Sequence, residues 1–134
     1  MKNTVKDEKL RLDGRSIMKL ELEKLHHCYA VASEMKRLAE EQPDKYPVNP
    51  NDAYVLGMLH DIGYQFTDSK EEHAHIGAEV LKQQGYKYWE DVYHHEDMDL
   101  EYDSDMLRLL RHADKTVSTD EIINGLMDKY CKIY

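Results

Sequence analysis

The sequence predicts an all-α fold, and three observations carry that expectation. No stretch alternates polar and apolar residues as a half-buried strand would. The prolines, Pro43, Pro47 and Pro50, are confined to one segment, "EQPDKYPVNPND", which reads as a loop. On both sides of that loop, apolar residues recur at helical spacing. A chain of 134 residues, 41 % hydrophobic and 34 % charged, suits one soluble globular domain with its own core.

The elements follow in order. Residues 1–15 read as a flexible segment and 16–134 as a single domain. The first helix is expected from about Ser16 to Glu41. On a wheel of about 100° per residue, Leu25, Cys28, Tyr29, Val31, Ala32, Met35, Leu38 and Ala39 fill one half. His27 falls at its border and His26 points to solvent. The second helix runs from about Asp52 to Ile62, with Asn51 or Asp52 as N-cap and Gly63 past its end. The third begins in "TDSKEE", where Ser69 and Glu72 have capping-box spacing, and stops at Gly85. A short piece covers "YWEDVYHHED", and two last helices fill 104–117 and about 119–132.

Charge and hydropathy exclude several functions. The net charge is −9, from 27 acidic and 18 basic residues, so the basic footprint of a non-specific nucleic-acid binder is missing. The same field repels anionic substrates unless a bound multivalent cation reverses it locally. No apolar run reaches the ~18 residues of a membrane span, and the N-terminus lacks the apolar core of a secretory signal. Cys28 and Cys131 form no metal or redox spacing and read as free thiols. A cytoplasmic chain with no membrane partner is expected.

Eight histidines are many for this length, and their placement is informative. In "GMLHDIGYQF", His60 and Asp61 end an apolar run, where an unpaired ionisable group costs several kcal/mol, roughly, unless something compensates. The end of a helix favours a cation there, through free carbonyls and the dipole. In "HAHIGAEVL", His73 shares a face with Ile76, Gly77 and Val80, whereas His75 lies nearer Glu79 and Lys82. In "YHHED", periodicity does not separate His94 from His95. In "SDMLRLLRHADKTVS", Leu107, Leu110, Asp114 and Val117 form one stripe, so Asp114 occupies a core position and His112 points off it. A carboxylate there is either paired or ligating. Imidazole and carboxylate donors from several helices, converging on one point, are how all-α metal sites are built.

His27, then His60–Asp61, then Asp114 match the H…HD…D pattern of the HD-domain superfamily of metal-dependent phosphohydrolases. "HCYAVASEMKRLAE" resembles its first-ligand helix, and "AYVLGMLHDIG" its diagnostic segment, down to HDIG. "HAHIGAEVL" is similar to the H-x-x-I-G-A element of two-metal members, "YHHED" to their later histidine element, and "LLRHADK" to the closing aspartate element. The resemblance spans residues 20–118. It implies a compact helical bundle of five or more helices around a metal site. His27, His60, Asp61 and Asp114 would hold a first divalent transition metal (iron, manganese, zinc, cobalt or nickel). A bridging Asp61, with His73 and His94 or His95, would hold a second. The link "IGYQFTDSKEE" between Asp61 and His73 is shorter than in many two-metal members.

The implied activity is hydrolysis of a phosphate ester or anhydride, often of a nucleotide, by metal-activated water at His60 and Asp61. Lys115 is the candidate phosphate contact, with Lys70 and Lys82 behind it. The expected partner is a small phosphate compound, and homodimerisation is left open. Two other readings compete: a di-iron oxygenase on the same fold, and a non-catalytic metal-binding regulatory module.

Overall fold

The structure, a computed structural model, describes the backbone of residues 14–97 and 101–131 and the side chains of 21–97 and 101–125. Helix α1 (Gly14–Glu41) leads through the proline loop to α2 (Pro50–Leu59). A 3-10 turn (Ile62–Gln65), α3 (His73–Gln83), α4 (Trp89–His94) and α5 (Asp105–Cys131) follow. The described residues contain no strand, as the all-α expectation requires. The segment expected to be flexible lies, up to residue 13, outside the described residues, as does the side chain of Cys131.

Two apolar stripes build the core. On α1, Cys28, Val31, Ala32, Met35, Leu38 and Ala39 are buried. On α5, Met106, Leu107, Leu109, Leu110, Ala113 and Val117 are buried. Each fully buried Leu, Val or Met contributes about 1.5–3 kcal/mol. Helix α2 lies against α1 with almost no gap: a Cβ on Gly57 would stand 2.4 Å from Ala32 Cα. Leu25 and Tyr29, expected on the buried half of α1, are 57 % and 54 % exposed. They line an open groove with Leu22 and Met58.

Three boundaries differ from the sequence expectation. The N-cap of α2 is Asn49, whose side-chain oxygen accepts from the amides of Asn51 (2.9 Å) and Asp52 (3.0 Å), with Pro50 in the first turn. Helix α2 ends at Leu59, so His60 and Asp61 stand at its exit, and Gly63 sits inside the following 3-10 turn. The two expected C-terminal helices are one, because "TVSTDE" contains capping residues but no Gly or Pro to break the helix.

The remaining contacts fix how the histidine-bearing segments meet. Gly63 packs directly on the backbone of His73, where a Cβ would come within 1.8 Å of the His73 carbonyl oxygen. Gly77 lies beneath, 2.8 Å from the Gly63 amide nitrogen by the same measure. The two glycines therefore seat the 3-10 turn on α3 and bring Asp61 beside His73. Between α4 and α5, Ser104 Oγ and Tyr102 OH both donate to Asp91 Oδ1. Arg111 donates to the carbonyls of His94 (2.8 Å) and Asp97 (2.6 Å), pinning the turn that carries His95.

Candidate metal centre

Three histidines share one local arrangement. His60, His73 and His95 each donate Nδ1–H to the carbonyl three residues earlier: Gly57 (2.6 Å), Lys70 (2.7 Å) and Val92 (2.6 Å). A carbonyl can only accept, so the proton sits on Nδ1 and the lone pair on Nε2. All three Nε2 atoms are buried, and none has a hydrogen-bond partner. Leaving three such acceptors unmet is costly, and together they form a donor set able to hold a cation.

The Nε2 atoms converge on Asp61. Its Oδ2 lies 3.2 Å from His60 Nε2 and 3.8 Å from His27 Nε2. Its Oδ1 lies 3.2 Å from His73 Nε2 and 3.4 Å from His95 Nε2. One carboxylate thus presents an oxygen to each of two histidine pairs. Asp114 closes the first group, with Oδ1 2.9 Å from His27 Nε2 and 3.7 Å from His60 Nε2. His27, His60 and Asp114 form one group able to hold an ion, and Asp61, His73 and His95 another.

The electrostatics point the same way. Burial pushes the Asp61 carboxyl up, but the imidazoles of His60, His73 and His95 gathered against it outweigh burial and hold the group far below the usual range. Asp114 behaves alike: burial raises it, and His27 and His60 pull it well below. His27 is raised, first by its bond to Asp114 against the opposing effect of burial, then by Glu121. Burial lowers His60, yet Asp114 and Asp61 more than compensate. The two carboxylates draw positive charge into the cluster, as protons on the imidazoles or as a metal ion.

Most residues singled out from sequence come together here: His27, His60, Asp61, His73, His95 and Asp114. The His94–His95 choice is resolved by packing. His95 is buried in the cluster, whereas His94 Nδ1 bonds Asp97 Oδ2 (3.2 Å) and its ring stacks on Tyr102 at 4.6 Å. His26 is exposed, and His112 stacks on Tyr46 outside the cluster. Lys115 is exposed on the adjacent face of α5. Lys70 contributes only its carbonyl, and Lys82 sits over Trp89, 4.7 Å from the ring centroid.

Three further groups escaped the sequence reading. Glu121 Oε1 accepts from His27 Nδ1 at 2.7 Å. It extends the stripe of Leu107, Leu110, Asp114 and Val117 by one more turn, so helical spacing could have found it. Glu96 Oε1 lies 3.7 Å from His95 Nε2 and 3.9 Å from His73 Nε2, at the rim. Cys28 is buried with its sulfur close to His60 and Asp61, a proximity that cysteine spacing alone does not reveal. Burial raises its thiol pKa.

Comparison with known proteins agrees with the geometry. No curated protein and no solved structure matches the chain significantly. A family model for the HD domain matches residues 25–119, which include each of the six clustered residues. With that match over most of its length and its histidines and aspartates gathered around one carboxylate, the chain belongs to the HD domain family.

Proposed function

We propose that this protein is a metal-dependent phosphohydrolase acting on a small phosphate ester or anhydride, of which a nucleotide is the leading example. HD domains are generally metal-dependent hydrolases. The observation that carries the reading is Asp61, with one oxygen towards His27 and His60 and the other towards His73 and His95. In this reading His27, His60, Asp61 and Asp114 hold a first divalent ion, and Asp61, His73 and His95 a second. Such a pair of ions activates water and neutralises charge on phosphoryl oxygens.

The chain's own residues supply the rest. The backbone bonds of His60, His73 and His95 fix their tautomers and aim Nε2 inwards before any ion arrives. Glu121 does the same for His27 by taking its Nδ1 proton. Glu96, 39 % exposed, stands where a carboxylate can hold water or accept a proton at the rim. The net charge of −9 makes the ions necessary for attracting an anionic substrate.

The test is metal analysis of protein purified without chelator, followed by a screen of phosphate esters and anhydrides with each ion restored. Metal bound by wild type and lost in Asp61→Ala, with hydrolysis following metal content, is the expected result. Oxygen consumption in an iron-loaded sample that hydrolyses no phosphate compound would favour the oxygenase reading instead.

A further inference from the structure

Lys24 stands at the mouth of the cluster by two separate relations. It precedes His27 by one turn of α1 and so shares its side of the helix. Its ammonium lies over the Tyr64 ring, 4.1 Å from the centroid. Tyr64 is itself stacked on His73, with centroids 4.1 Å apart and planes within 11°. One face of the phenol is covered by the imidazole, so the ammonium occupies the other face. Lys24, Tyr64 and His73 form a three-layer stack beginning at the edge of the second histidine pair.

Several other cations are engaged elsewhere or lie away from the cluster. Arg37 pairs with Glu34 and Glu41, Arg111 holds backbone carbonyls, and Lys82 lies over Trp89 near the far end of α3 from His73. Lys24 is exposed, lies against a ring face, and can swing towards an anion without breaking an ion pair among the described residues. One aromatic ring separates it from His73. A phosphoryl group seated at Asp61, His73 and His95 would have that ring between it and the ammonium, so a second phosphate joined to the first is the group placed to meet Lys24.

We infer that Lys24 is a substrate-binding residue for the distal phosphate of a phosphoric anhydride, which makes the preferred substrate class a di- or polyphosphate and not a monoester. This rests on the phosphohydrolase reading above. The charge-assisted bond from the ammonium forms only when that second phosphate is present. The contact with Tyr64 already restrains the ammonium beforehand, so less side-chain freedom is lost on binding.

The experiment titrates manganese-loaded protein calorimetrically with two non-reacting probes, imidodiphosphate and orthophosphate. Lys24→Gln should weaken imidodiphosphate by about tenfold and orthophosphate by less than about threefold. Lys24→Arg should restore most of the loss. Lys82→Gln, which removes one charge on α3 that lies over the Trp89 ring of α4, should change neither. Equal weakening of both probes by Lys24→Gln, no weakening, or the same loss in Lys82→Gln would overturn the assignment of Lys24 while leaving the hydrolase reading intact. Failure of metal-loaded wild type to bind either probe would overturn both.

Discussion

Glu121 Oε1 and His27 Nδ1 are 2.7 Å apart, and His27 Nε2 is 2.9 Å from Asp114 Oδ1, so one imidazole bridges two carboxylates of the same helix. Glu121 lies two turns beyond Asp114 on α5. Glu121 therefore acts on the candidate metal centre through His27. Glu121→Ala should weaken metal binding at the first position by about 10–100-fold, as losing an outer carboxylate partner of a ligating histidine commonly does. His26→Ala should have no effect. Competition titration with a chromogenic chelator measures both.

Asp61 faces both histidine pairs, and His73 only one. Metal stoichiometry should approach about two ions per chain in wild type, about one in His73→Ala, and near zero in Asp61→Ala. Elemental analysis of the three proteins checks the order. Equal content in Asp61→Ala and His73→Ala would mean that Asp61 does not bridge.

Asp114 is paired with His27 and His60, with no lysine or arginine among the partners described for it. Its conversion to Asn in metal-free protein removes a charged hydrogen bond worth about 2 kcal/mol while His27 is protonated. The sign of the pH dependence follows from His27. Its folded pKa is raised above the ordinary value of 6.5, so its stabilising contribution is complete below that value and fades as pH rises through the raised one. The gap between wild type and Asp114→Asn should thus be largest near pH 6 and shrink above it. Thermal denaturation in chelator across that range is the measurement. With metal restored, the mutant should lose most of the ion-dependent gain in melting temperature.

Gly63 touches the His73 carbonyl so closely that any side chain forces the 3-10 turn off α3. Gly63→Ala should destabilise the fold by about 1–3 kcal/mol or more through overpacking. It should also move Asp61 away from His73, so second-site metal should be lost before first-site metal. Denaturant melts and metal titration of the same preparation test this.

Asp91 is a buried carboxylate whose pKa is raised by desolvation, against the opposing hydrogen bonds of Ser104 and Tyr102. A folded carboxyl raised above its unfolded value of 3.8 costs stability as pH climbs from that value through the folded pKa. Asp91→Asn keeps an acceptor for both hydroxyls and removes the cost. The mutant should therefore melt higher than wild type at pH 7, with the gain vanishing as pH falls towards 4. A gain that is independent of pH would show that the charge is not its source.

The chain's own order of residues was enough for the helical class and for most of the core stripes of α1 and α5, while Asp114, expected at a core position, is only partly buried, at the edge of that stripe. The class and the stripes follow from local periodicity, which survives folding because a helix presents fixed faces. His60, Asp61 and His73 were also readable, since each sits where an apolar pattern and a polar group conflict. Packing decided what periodicity could not. The short α4 has too few turns to define a face, so only the grip of Arg111 on the following turn shows that His95, not His94, enters the cluster. Leu25 and Tyr29 sit on an apolar arc but stay more than half exposed, because Tyr54 meets Tyr29 only at its edge and Met58 and Glu121 only border the groove there. The approach of Cys28, Glu96 and Glu121, and the stack of Lys24 on Tyr64 on His73, join residues distant in sequence. Such distances are set by how helices cross, and only the folded chain determines them.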